Sequence, residues 1–272
     1  MHEPARMKAT ILFLIFFWCA FSPCFAKDEW IFLPAFDAGI STITYKEPTL
    51  MQESGTMYFL DGALTERFNS DFFMREEIRY SYGLVNYDGG TSGGSPLTIN
   101  GIPDSIMEAQ WILGNDIPSY GSSVLTPYFG FGFRFLQDNL QVGPGGYRRE
   151  SNYLYNPLGF ELMVPINKGS SWGAAVEYDA LMWGKQVSCL SDVDPGYHDV
   201  MNEQENGSGL RGYLKYTFVS DGADLEIKLF ERTWSIEESV HKDLTKNGVN
   251  IGTVWEPKNI STEIGLSLSL KY

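Results

Sequence analysis

"LTPYFGFGFRF", residues 125–135, alternates without a break. Leu125, Pro127, Phe129, Phe131, Phe133 and Phe135 share one parity, and Thr126, Tyr128, Gly130, Gly132 and Arg134 share the other. Successive side chains of a strand point to opposite faces, so this stretch has one apolar face and one that is small or polar. A helical period would scatter the same residues around an axis. The last stretch, "GLSLSLKY" at 265–272, continues the rule: Ile260, Thr262, Ile264, Leu266, Leu268, Leu270 and Tyr272 oppose Glu263, Gly265, Ser267, Ser269 and Lys271.

Working outward, the split recurs at 172–186, where Trp172, Ala174, Val176, Tyr178, Ala180 and Met182 oppose Glu177, Asp179 and Lys185. It recurs again at 210–218, 225–233 and 106–113. Strands near 35–46, 56–65, 71–86 and 150–164 bring the set to ten, the third being the least regular because Glu76 falls among Met74, Ile78, Tyr80 and Tyr82. A chain with 15% aromatics and 28 glycines suits an all-β protein rich in turns. Connections near 66–70, 114–122, 165–171 and 220–222 read as short, and those at 47–55, 87–104, 137–148, 187–208 and 235–258 as long.

Strict alternation of short and long connections, with strands of about nine residues or more, is the pattern of a barrel that crosses a membrane. The expected fold is therefore an all-β, transmembrane, antiparallel up-and-down β-barrel of about ten strands, with eight or twelve left open. A soluble sandwich or lipocalin-like barrel would alternate too, but with its apolar face inward and its charges outward. Aromatics at strand ends (Tyr45, Trp111, Phe135, Trp172, Trp183, Tyr272) fit the girdles that flank a hydrocarbon layer.

At the other end of the chain, Arg6 and Lys8 precede an apolar run from Ile11 to Phe21, followed by Pro23 and the Cys24-Phe25-Ala26 step. This reads as a secretory signal peptide over 1–26, too short to span a bilayer as a helix, with 27–272 as one barrel domain. Cleavage leaves Cys189 alone, which excludes an intramolecular disulfide framework and zinc sites built on several cysteines. The formal net charge of −14 becomes slightly more negative on processing, because Glu3, Arg6 and Lys8 carry one net positive charge. Such acidity argues against nucleic acid as a partner.

The residues Leu266, Leu268, Leu270 and the terminal Tyr272 carry a resemblance to small, even-stranded bacterial outer-membrane β-barrels. In that class, an alternating last strand with a final aromatic is the address read by the barrel assembly machinery. Phe or Trp is commoner than Tyr at that position. The resemblance implies a Gram-negative cell envelope, outer-membrane lipid as surroundings, passage by periplasmic chaperones, and both termini in the periplasm. "YRRESNYLYNPLGFEL" at 147–162 also resembles strands of poorly characterised porin-like proteins and implies no activity.

If the polar face lines the lumen, it gathers Arg75, Glu77, Arg79, Glu108, Arg134, Glu161, Glu177, Asp179, Lys185, Arg211, Lys215, Glu226, Lys228, Arg232, Glu263 and Lys271. A lone charge in so narrow a space is costly, so these are expected to pair across the lumen and plug it. The competing reading is a narrow hydrated pore for ions or small solutes, its selectivity set by unpaired members of the set. Outer-membrane proteases of the omptin family share the ten-stranded size, and His198-Asp199 with Asp192 and Asp194 lies in one long loop. The spacing departs from that family's Asp-x-His pattern, and a lipid A deacylase requires His and Ser two apart on a strand, whereas His198 and His241 both fall in long loops.

The acids Asp192, Asp194, Asp199, Glu203 and Glu205 lack the spacing of a calcium loop, and the glycines of "NYDGGTSGGSPL" have no helix or Lys after them to cradle phosphate. The sequence thus predicts a non-enzymatic surface or structural barrel with no cofactor and no metal, whose external loops are the place for a ligand or host surface.

Overall fold

The computed structural model describes residues 31–68, 71–91 and 94–272. The segment read as a signal peptide, with Cys19 and Cys24, lies outside them, as does Gly93. Strands in chain order are β1 (Ile31–Glu47), β2 (Met51–Arg67), β3 (Phe72–Gly90), β4 (Pro96–Asn115), β5 (Ile117–Pro118), β6 (Val124–Asn139), β7 (Arg148–Asn167), β8 (Ser170–Ser188), β9 (Val200–Gln204), β10 (Gly207–Phe218), β11 (Asp224–Ile236), β12 (Lys242–Lys246), β13 (Val249–Val254) and β14 (Asn259–Lys271).

Ten of these are staves of a closed antiparallel barrel, each paired with its neighbour in sequence. The ring closes where β1 meets β14, in register from Ala35 opposite Lys271 to Lys46 opposite Ile260. The amide of Tyr272 then donates to the Pro34 carbonyl at 3.0 Å, so the last strand is hydrogen-bonded to its final residue. Short β5 and β9 add to the edges of β6 and β8, and β12 with β13 forms a separate hairpin in the last loop.

Burial decides which face is inside. Leu60 is 70% exposed, Phe129 58% and Leu268 54%, whereas Arg79 is 2% exposed, Glu226 1% and Asp179 0%. A soluble barrel would reverse these values, so the outer wall is built for hydrocarbon and the inside for charge. At two inward-facing glycines, Gly132 of the deciding stretch and Gly159 of β7, an aromatic ring already fills the space a side chain would need. A Cβ at Gly132 would overlap the Tyr155 ring, and one at Gly159 would overlap Tyr128.

The apolar band stops partway up the wall. On β3, Ile78, Tyr80, Tyr82 and Leu84 face out and are followed by Asn86 and Asp88. On β11, Leu225, Ile227 and Leu229 give way to Glu231. Above the band the ladders simply continue, and this corrects the expected loops at 47–55 and 87–104. The first turn spans only 48–50, and β3 and β4 run to Gly90 and from Pro96. Paired backbone satisfies its own hydrogen bonds outside lipid as well as within it.

Two further expectations change. A bulge sets Leu154 opposite Trp183 and Tyr155 opposite Leu181, leaving Met182 unpaired. The extra residue reverses parity above it, so Gly184 and Gln186 face inward and Lys185 faces outward, away from the lumen set to which alternation assigned it. Tyr45 is no girdle residue: it points into the barrel, its hydroxyl donating to Glu47 at 3.2 Å and Glu256 at 3.3 Å. Trp172, Trp183 and Tyr272 remain on the outside.

Candidate functional site: the barrel interior and its loop end

The interior is layered. At the end where β2 leaves at Arg67 and β3 begins at Phe72, Phe73, Ile112 and Tyr128 form a small apolar cluster. Beside it Lys215 binds Glu161 and lies 3.4 Å from Glu226, Lys271 meets Glu226 at 2.7 Å, and Arg75 lies 3.8 Å from Glu161. Lys228 pairs with Asp37 at 2.6 Å. Glu77 lines a small cavity here together with Asp37 and Asp61.

The next layer crosses the whole lumen and is centred on Glu108. Arg134 approaches it at 3.4 Å, Arg79 and Arg211 at 3.7 Å, and Arg232 binds it directly. Arg79 also grips Glu263 with two nitrogens, at 2.5 and 3.0 Å, while Ser41 donates to the same carboxylate. Arg211 reaches Asp179 at 2.7 Å and Glu177 at 3.1 Å, and Gln110 donates to Glu177 at 2.8 Å. Fifteen of the sixteen charges singled out in the sequence thus face the interior, and all of those but Glu77 have a named ion-pair partner. Pairing of this kind offsets part of the cost of taking the charges out of water.

Above that layer sit Tyr153, Tyr155, Trp234 and Ile236, with Tyr155 edge-on to Trp234 at 5.1 Å and the Arg134 guanidinium 5.5 Å from the Trp234 ring. A second apolar group, built on Ile43, Met57, Val85, Ile102 and Ile106, fills the other side.

The loop end holds a cluster the sequence did not point to. Arg149 on β7 meets Glu47 of β1 at 2.6 Å, Asp138 of β6 at 2.9 Å, Glu53 of β2 at 3.4 Å and Glu256 of the last loop at 3.9 Å. Asp104 of β4 stands opposite Asp138 across the ladder. Four carboxylates therefore contact one guanidinium, with a fifth, Asp104, beside them. Burial pushes the Glu256 carboxyl up to about 8, against the pull of Arg149 and with a further push from Glu47. These residues share parity with the inward side of their strands, a signal available in the sequence had the strands been drawn long enough.

Three of the five loop acids, Asp192, Asp194 and Asp199, are held by contacts within the loops. Asp192 accepts from the Arg148 amide and Asp199 from the Ser191 amide, both at 3.0 Å, and Asp194 pairs with Lys246 at 2.6 Å. His241 stacks on Trp255 at 4.6 Å, and neither it nor His198 lines the cavity beside Arg149. Cys189 is free and buried, with Arg148 3.6 Å from its sulfur.

No protein-family model and no curated protein matches the chain. Among solved structures it is similar to the outer membrane protease OmpT from Escherichia coli, at 8% identity, covering 90% of this chain and 98% of that one with a TM-score of 0.60. The Pseudomonas putida toluene transporter TodX (8% identity, 91% and 90% covered, TM-score 0.34) and Neisserial surface protein A (9%, 90% and 100%, 0.31) match more loosely. The fold is that of the bacterial outer-membrane β-barrels. At such identity the likeness extends to the fold and no further.

Proposed function

We propose that this chain is an integral outer-membrane β-barrel with a closed lumen, a non-enzymatic surface or structural protein that works through its loop end. The observation that carries the reading is the charge layer around Glu108, capped by the Tyr153, Tyr155 and Trp234 cluster: paired side chains occupy the cross-section where a conduction path would run. The termini then face the periplasm, and the loops at 189–206 and 237–258 face the medium, where a ligand or host surface meets them. In this reading Leu266, Leu268, Leu270 and Tyr272 serve as wall and as the assembly address, with chaperones and the assembly machinery as transient partners.

Conductance across a planar bilayer holding the refolded protein tests the closed lumen. Insertion without current steps is the expected result. Discrete steps whose ion preference shifts in Arg134→Ala or Arg211→Ala would replace this reading with the narrow pore. A hydrolase at the mouth would instead show as peptide or lipid cleavage lost in His198→Ala or Asp199→Ala.

A further inference from the structure

Glu53, Asp104 and Asp138 each offer a carboxylate oxygen, and these oxygens lie within 4.8 Å of one another. Two ligands bound about 2.4 Å from a shared ion can be no further apart than that. Asp138 is 9% exposed, and its geometry divides its two oxygens: Oδ2 accepts from Arg149 at 2.9 Å, while Oδ1 is buried without a hydrogen-bond partner. Asp104 Oδ1 is buried and unpartnered in the same way. An acceptor stripped of water and given no donor is destabilising, the more so when charged. Two such oxygens from strand-paired residues, beside a third carboxylate, therefore ask for a positive centre.

We propose that Glu53, Asp104 and Asp138 form a binding site for a hard divalent cation of the Ca²⁺ type. The donor set is all oxygen, with no sulfur or imidazole, which suits calcium or magnesium and not a soft metal. Arg149 carries one positive charge against the four carboxylates it contacts and the neighbouring Asp104, and a divalent ion offsets two more. Ser151, Gln186 and Tyr45 line the same cavity and leave polar surface for the waters that complete the coordination shell. The ion ties β2, β4 and β6 together above the apolar band, independently of whether the lumen below conducts.

The test is calorimetric titration of CaCl₂ into the full-length protein in detergent after chelator treatment. Alongside it, Tb³⁺ emission excited through nearby tyrosines such as Tyr45 is measured with Ca²⁺ as competitor. Saturable binding of about one equivalent is expected, together with Tb³⁺ emission that Ca²⁺ displaces. Asp104→Asn, which leaves every Arg149 contact in place, should weaken binding on the order of tenfold or more. Glu237→Gln, on an exposed loop, should not change it. Absence of saturable heat and of sensitised emission in the wild-type protein overturns the proposal, and so does an Asp104→Asn variant that folds and binds as tightly as the parent.

Discussion

Glu108→Gln is the substitution that most directly probes the lumen. Four guanidiniums converge on this carboxylate. After the change Arg79 keeps Glu263, and Arg211 keeps Glu177 and Asp179. Arg134 falls back on Ser261 Oγ at 3.5 Å and the Trp234 ring, and Arg232 on the Phe230 ring at 5.4 Å. Removing one partner of a buried pair costs about 3–5 kcal/mol, mostly the penalty of the charge left behind. Urea unfolding in vesicles, followed by tryptophan emission, should show a loss of that size. Emission from Trp234 itself should shift, because Arg134 lies over it. Adding Arg232→Gln should return part of the loss, about 1–3 kcal/mol of coupling, since neighbours in one network are not additive. Glu231→Gln on the outer face serves as control, within about 0.5 kcal/mol of the parent. A Glu108→Gln loss below about 1 kcal/mol, or strict additivity with Arg232→Gln, would refute the idea that paired charges hold the lumen closed.

Leu268→Arg puts a charge on the apolar wall and should cost about 2–4 kcal/mol near the bilayer midplane, read as lowered folding yield into vesicles, while Leu268→Ala folds. Gly132→Ala forces the Tyr155 ring from its seat and should destabilise by about 1–3 kcal/mol in the same urea assay. Burial raises the folded Glu256 carboxyl from its ordinary 4.5 to about 8. Between those values the folded state binds more protons, so loop-end stability should fall as pH rises through the window, and Glu256→Gln should flatten that slope in amide exchange measured against pH.

Period-two alternation made the ten staves and their faces legible, because a wall between lipid and a charged interior leaves little freedom at either parity. The exception is instructive. Lys185 has the right parity for the lumen until the unpaired Met182 is counted, and a bulge leaves no mark in an alternation pattern. Hydrophobicity stops before the strands do, so Glu47, Glu53, Asp104 and Asp138 read as loop acids although the ladder runs on past them. No local motif announces the cluster, since Arg149, its four carboxylates and Asp104 come from five strands and a loop and meet only when the barrel closes.

The two charge layers differ in a way that bears on where activity can reside. Around Glu108 and Glu263 the charges balance: Glu108, Glu263, Glu177 and Asp179 face Arg79, Arg134, Arg211 and Arg232. Balanced, buried pairs hold a structure in one state and leave little affinity for anything else. Around Arg149 acids outnumber the single base, and oxygens of Asp104 and Asp138 go without donors. Aromatic and aliphatic side chains separate the layers. A ligand, a proton or an ion arriving from the loops meets the unbalanced layer first and is stopped before the balanced one. Whatever this barrel binds should therefore respond to changes at Glu53, Asp104 and Glu256 and stay indifferent to Lys215→Gln, whose effect should be confined to stability.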